Sequence, residues 1–206
     1  MSHTPRRINM ARNALSICFF GPSGSGKSTC FEMARDAMLD RLDLRDGARV
    51  HRADVAEPLH DIQRAAYDRL GLDSTGQDGR LLSFLADHFG PHLGTAIRSL
   101  VDRACESRRP CEVAFVNTDC RNNAYDTLHE LGFWFVRVAA PEGTVRDRLS
   151  ARGDTTPHNP SAAVEQIGKI AARWTINNGG SLGELREQVG NVVQAAIFRR
   201  GEFMSA

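Results

Sequence analysis

Apolar runs alternate with amphipathic stretches along most of the chain. LSICFF (15–20), ARVHRA (48–53), EVAFVN (112–117), FWFVRVA (133–139) and RWTIN (173–177) have the length and composition of strands. Between them, apolar positions at helical spacing predict helices over 27–42, 57–70, 80–87, 92–107, 122–131, 142–151, 162–172 and 182–198. In the last of these Leu182, Leu185, Val189, Val192, Val193 and Ala196 form one stripe that asks to be buried. Strands alternating with helices imply an α/β fold, because parallel neighbours need a crossover and a helix supplies it.

The spacing departs from a simple alternation once. Residues 54–111 hold more than one helix between consecutive strands and read as a helical excursion beside the sheet. RGDTTPHNPS (152–161), with two prolines among polar residues, has turn chemistry and reads as a loop. The expected organisation is a single domain over 1–206, with 14–53 and 112–200 as its core. No internal repeat or low-complexity segment interrupts it.

Straight after the first strand, residues 21–29 read GPSGSGKST, which fits G-x-x-x-x-G-K-[ST] in full. Glycines at Gly21, Gly24 and Gly26 let successive backbone N–H groups turn toward one point, with Ser23 and Ser25 between them. The helix that follows aims its unsatisfied N–H groups at the same point. Lys27 would reach the β- and γ-phosphates, Ser28 would hold Mg²⁺, and Thr29 completes the stretch. A strand before and a helix after supply the context the motif needs, so ATP with Mg²⁺ is the expected cofactor set and a P-loop NTPase the expected fold.

Composition narrows the class without changing it. A formal net charge of +1 gives no global pull toward nucleic acid, so a nucleic-acid substrate is possible but not favoured. No window approaches the roughly 20 apolar residues of a membrane span. The first residues, MSHTPRRINMARN, are polar and lack the apolar stretch of a secretory signal. Five cysteines without a CxxC pair fit reduced thiols, and the expected location is the cytoplasm. Oligomeric state is not legible here.

P-loop proteins include GTPases, ATP-driven machines and small kinases. An NKxD base-reading motif is absent, and VAFVNTD (113–119) places Asp119 three residues beyond its apolar run. A short chain with an arginine-bearing loop suits a kinase that closes over two substrates and excludes water.

Five stretches carry a family resemblance. They are the P-loop, VHRADVAEPLHDI (50–62), GRLLSFLADHF (79–89), DCRNNAYDTLHELGFWFVRV (119–138), and RDRLSARGD (146–154) together with WTINNGGSLGELREQV (174–189). In order and spacing they resemble the phage-type deoxynucleoside monophosphate kinases, and more distantly the dephospho-coenzyme A kinases. The resemblance implies a doubly wound five-stranded parallel sheet, an acceptor-binding role for 54–111 and a lid at 152–161. It further implies phosphoryl transfer from ATP to a (deoxy)nucleoside monophosphate or similar small acceptor.

Residue by residue, the resemblance places Asp54 against the acceptor as base or orienter; a helix cap is the alternative. Arg80 and Arg121 would face the acceptor phosphate, for which a guanidinium fork is suited. Asp119 would hold Mg²⁺ or its waters, with a cap before Asn122 as the alternative. Arg148 and Arg152, four apart on one helix face, would neutralise charge on the transferred group. Asn177, Asn178 and Gly179 fall where the resembled families have a loop near the adenine, or form an ordinary Asn-Gly turn. Phe133, Trp134 and Phe135 read as core, and His88 and His92 as loop histidines without a required role.

The chain departs from these families on the acceptor side. The Gly-Thr-Glu that commonly follows the helix of Arg80 is absent, and Asn122-Asn123-Ala124 replaces the usual Asn-Glu pair. Val-Ala-Glu-Pro (55–58) stands for Phe-Ala-Asp-Pro. A kinase of a hydroxyl acceptor, such as a modified nucleoside, a base in DNA or a coenzyme precursor, therefore stays open. So does an ATP-gated regulatory module.

Overall fold

The computed structural model describes residues 14–41, 50–73, 78–106, 113–151 and 165–204. Five strands form one sheet: β1 (Leu15–Phe20), β2 (Val50–Arg52), β3 (Ala114–Asn117), β4 (Trp134–Ala139) and β5 (Trp174–Asn177). All pairings are parallel and the spatial order is β2-β3-β1-β4-β5. Helices α1 (Lys27–Arg41), α2 (Glu57–Leu70), α3 (Gly79–Glu106), α4 (Asn122–Glu130), α5 (Glu142–Ala151) and α6 (Leu182–Met204) complete the described elements.

The pleat of β1 explains why helices cover both faces. Leu15, Ile17 and Phe19 join α1 and α6 residues such as Met38, Leu185 and Val189 in one apolar cluster. Cys18 and Phe20 join Leu59 of α2, Val101 of α3 and Leu128 of α4 in a second. Every residue of β1 is buried, as a central strand of a doubly wound sheet must be. Each fully buried Phe contributes about 1.5–3 kcal/mol, so Phe19 and Phe20 alone strongly favour this position for the strand.

The order β2-β3-β1-β4-β5 reverses direction at β1. The chain leaves β1 toward β2 on one side and leaves the adjacent β3 toward β4 on the other, opening a crevice at the carboxyl ends where such sheets bind ligands.

Two expectations are corrected. The helices expected at 80–87 and 92–107 are one continuous helix, α3, which runs through Gly90 and Pro91. A mid-helix proline removes a hydrogen bond. Yet Leu85, Leu93, Ile97, Val101 and Cys105 lie along one buried stripe, whose packing outweighs the local cost. The helix expected at 162–172 is helical at Glu165 but does not continue beyond it. Residues 166–169 are turns, closed by Gly168 N–H on Glu165 O and Ile170 N–H on Ile167 O. They tuck Ile167 and Ile170 into the core, and residues 162–164 lie outside the described segments.

The stripe expected on the last helix holds from Leu185 onward, but Leu182 is 68% exposed at the helix start. Among the described residues no helix is long and apolar enough to cross a membrane.

Candidate functional site

Residues 21–26 of the motif form the loop between β1 and α1, and Lys27, Ser28 and Thr29 open the helix. Two of the loop glycines are dictated by close approach as well as by backbone angle. A Cβ on Gly21 (φ +151°) would stand 2.4 Å from the carbonyl oxygen of Val138 in β4. One on Gly26 (φ +100°) would stand 2.0 Å from Nδ2 of Asn178. No side chain fits either place without moving the neighbouring strand or turn.

The loop is braced from within. Ser25 N–H donates to Pro22 O at 3.2 Å, and Lys27 Nζ donates to Gly21 O at 3.0 Å and Pro22 O at 2.8 Å. Ser23 and Gly24 are half-buried, while Ser28 and Thr29 are exposed on the first turn of α1. Ser25 is fully buried, and its Oγ has no hydrogen-bond partner among the described residues. One turn along, burial pushes the Cys30 thiol up to about 12, against the pull of the Lys27 and Arg148 charges. Both cations therefore bear on the same small volume.

Two further elements reach the loop. Arg148 on α5 sends Nη1 toward Gly24 O (3.3 Å) and Ser25 O (3.5 Å). Asn178, in the turn after β5, donates Nδ2 to Ser25 O at 2.7 Å and is 4% exposed. Its neighbours do less: Asn177 has its backbone clamped by Gln188, and Gly179 lies against the Pro141 ring. Arg152 and the 152–161 segment lie outside the described residues.

At the carboxyl ends of β2 and β3 a second cluster assembles. Asp54 accepts from Thr118 N–H at 2.7 Å and Thr118 Oγ1 at 3.0 Å, and from Arg52 Nε. Arg52 also donates Nη2 to Thr118 Oγ1 at 3.0 Å and stacks its guanidinium over the Phe31 ring of α1. Asp119 accepts from the backbone N–H groups of Val55 (2.8 Å) and Ala56 (2.6 Å).

Ala56 stands at the N-terminus of α2 and offers no side-chain cap of its own. Asp119 thus caps α2 from 63 positions away, which differs from the cap before Asn122 that its position in the chain suggests. Burial, followed by the nearby Asp54 charge, raises the Asp119 carboxyl to about 6, while the Ala56 and Val55 amides and Asn117 pull the other way.

Asn117, fully buried, ties the cluster together. Its Nδ2 donates to Ala53 O (2.8 Å) and Asp119 Oδ1 (2.7 Å), and its Oδ1 accepts from Cys120 N–H (3.0 Å) and the Cys18 thiol (3.2 Å). Arg121 begins α4 and is half-buried; burial lowers its pKa, opposed by the charge of Asp119. His60 of α2 is also half-buried, and burial holds its pKa below the usual value against the attraction of Asp54.

Arg80 stands apart. It is exposed in the first turn of α3, where Asp78 Oδ1 caps its N–H at 3.0 Å. Among the described residues no hydrogen bond or ion pair links it to Asp54, Asp119 or Arg121. His88 is exposed and stacks on Phe84, and Trp134, at the amino end of β4, meets the Arg173 and Arg199 guanidiniums over its ring.

No family model matches this chain, and no curated protein matches it. Solved structures do. A sugar kinase from Janibacter sp. HTCC2649, in an unliganded structure, is 17% identical over 88% of this chain and 93% of its own, with a TM-score of 0.48. Shikimate kinase from Acinetobacter baumannii, in complex with shikimate, is 15% identical over 93% of this chain and 98% of its own, with a TM-score of 0.46. At these identities and scores neither neighbour says what this chain binds.

Sequence reasoning missed Arg52, Asn117, Thr118 and His60. Arg52 stands two residues before Asp54 and Thr118 one before Asp119, which is the one signal the sequence offers. Their meeting depends on β2 lying beside β3.

Proposed function

We propose that this protein is an ATP-dependent kinase that transfers the γ-phosphate to a (deoxy)nucleoside monophosphate or a nucleotide-like acceptor. One observation carries the reading. A phosphate-binding loop whose glycines are required by close contacts opens onto the same sheet edge as a cluster of paired carboxylates and arginines. A loop that only held nucleotide as a structural element would not need that second cluster.

The chain's groups fit a triphosphate with its magnesium ion. Ser25 Oγ is buried in the loop with no hydrogen-bond partner among the described residues, and Lys27 Nζ rests on loop carbonyls from which it can turn to phosphate oxygens. Ser28, exposed on the first turn of α1, would hold the ion. When bound, magnesium neutralises charge on the β- and γ-oxygens. Lys27 would hold the same oxygens, Arg148 and Arg152 would cover the transferred group, and the loop N–H groups would orient it in line with the acceptor. Asp119 would serve the acceptor wall by holding α2, since three N–H donors already engage its carboxylate.

The state of Asp54 favours an acceptor that arrives already ionised. An Arg52 partner and two Thr118 donors occupy most of its acceptor capacity, so it is better built to orient than to take a proton. A phosphate acceptor needs no base, whereas an alcohol gains from one. Arg121 and the exposed Arg80 would meet the acceptor phosphate, bringing charge-assisted hydrogen bonds to it.

The test is a coupled ADP-release screen of the purified protein against deoxynucleoside and nucleoside monophosphates, dephospho-coenzyme A, nucleosides and oligonucleotides. Stimulation by a monophosphate, abolished by Lys27→Ala, is the expected result. Stimulation by nucleosides alone would transfer the reading to a hydroxyl acceptor. ADP release that no acceptor stimulates, at a rate unchanged by Lys27→Ala, would end the kinase reading.

A further inference from the structure

We infer that Asn178 is a positioning residue of the phosphate-binding loop, acting through the Ser25–Gly26 peptide rather than through the adenine. The inference rests on the loop being a triphosphate cradle, and it extends that reading to a residue 153 positions from Ser25.

Asn178 is anchored to the sheet. Its N–H donates to Ala139 O of β4 at 2.7 Å, and the preceding residue is clamped by Gln188 of α6 through both its N–H and its C=O. With the backbone held at Asn177 and at the Asn178 N–H and the side chain buried, the amide has little freedom to do anything but donate to Ser25 O at 2.7 Å. Arg148 Nη1 approaches the same carbonyl, at 3.5 Å. The Asn178 bond is the shorter and the more buried of the two.

What this does to the loop follows from peptide geometry. In a trans peptide the C=O and the next N–H point in opposite directions. Holding Ser25 C=O against Asn178 therefore turns Gly26 N–H away from Asn178, toward the open side of the loop. Without the brace this peptide could rotate, because Gly24 and Gly26 flank Ser25 and glycine has the widest backbone freedom. A loop whose donors must all converge on one anion binds better when that rotation is stopped beforehand. The fit is mutual, since the same amide stands where a Cβ on Gly26 would be, 2.0 Å away. The closing Gly of the motif and Asn178 therefore form a pair.

The experiment titrates the full chain with the fluorescent analogue mant-ATP. Three variants are compared with the wild type: Asn178→Ala, the isosteric Asn178→Asp, and Gln188→Ala, which loosens the same turn from its outer side without touching the loop. The expected result is a Kd raised about tenfold or more in both Asn178 variants, with Gln188→Ala within about twofold of wild type at a lowered thermal midpoint. Should Asn178→Ala fail to fold, Asn178→Asp carries the comparison, since it keeps size and turn propensity but replaces the donor with a repelled carboxylate.

Binding by Asn178→Asp within about twofold of wild type, or an equal loss in Gln188→Ala, would overturn the inference. If wild type itself does not bind mant-ATP, the cradle reading and the inference fall together. Wild-type binding without acceptor-stimulated ADP release removes only the kinase reading, and the Asn178 comparison then stands on its own.

Discussion

The two halves of the candidate site are built from different materials. The loop after β1 is made of backbone, shaped by glycines and braced at its carbonyls by Lys27, Arg148 and Asn178. The edge at β2 and β3 is made of side chains, with Asp54, Asp119, Arg52, Thr118 and Asn117 satisfying one another. Backbone can offer N–H groups to any triphosphate, so a loop of this kind tolerates few changes and looks alike wherever it occurs. A side-chain network can be rebuilt one residue at a time to suit another acceptor. That is where this sequence departs from the families it resembles.

The contrast can be broken most sharply at Gly26. Gly26→Val adds a Cβ within 2.0 Å of Asn178 Nδ2 at a backbone angle hostile to branched residues. Its mant-ATP affinity should fall by about 100-fold or more, by the same fluorescence titration. A smaller loss than that of Asn178→Asp would mean that the loop adapts more than its contacts imply.

Next in size is Asp54→Asn. If the two halves are as separate as their materials, acceptor kcat/KM should fall by about 100-fold while mant-ATP affinity stays within about twofold. The steady-state readout is kcat/KM for the best acceptor in the ADP-release screen. Equal losses of nucleotide binding and acceptor turnover would merge the halves into one unit.

The pH dependence of stability isolates Asp119. Its carboxyl is raised from 3.8 to about 6, so between those values the folded chain holds a proton that the unfolded chain has released. This contribution to stability is full below about pH 4 and lost as pH rises through about 6. Melting curves at intervals across this range should show Asp119→Asn with a shallower fall in Tm than the wild type. An identical slope would assign the proton to another group.

The smallest effect is expected at Arg80. Removing an exposed arginine without a partner in the carboxylate cluster should leave Tm within about 1–2 °C. Arg80→Ala should nonetheless raise acceptor KM by about fivefold if the guanidinium meets the incoming phosphate. An unchanged KM would leave Arg121 as the acceptor-side cation and Arg80 as ordinary surface.

Legibility followed the distance between partners along the chain. GPSGSGKST was readable because its chemistry is contiguous: the glycines, the lysine and the helix start are neighbours in sequence as in space. Asp54 and Asp119 stand out in the sequence, but their partners do not. Asp119 works on Val55 and Ala56, more than 60 positions upstream, and nothing near it in sequence names those partners. The continuous α3 escaped for a related reason. Gly90-Pro91 is a local stop signal, and only the shared buried face from Leu85 to Cys105 overrides it.

By itself, the sequence determined the alternation of strands and helices, the strand–loop–helix unit and the G-x-x-x-x-G-K-[ST] motif at 21–29 on which the phosphate reading rests. Those depend on periodicity and backbone freedom, which are properties of neighbouring residues. Only the tertiary structure decided which strands are adjacent, and with that which carboxylates share a site and which amide braces the loop. β3 comes between β2 and β1, and the turn after β5 is carried back to Ser25. Such contacts arise from burying both faces of β1 at once, and no window along the chain contains both partners.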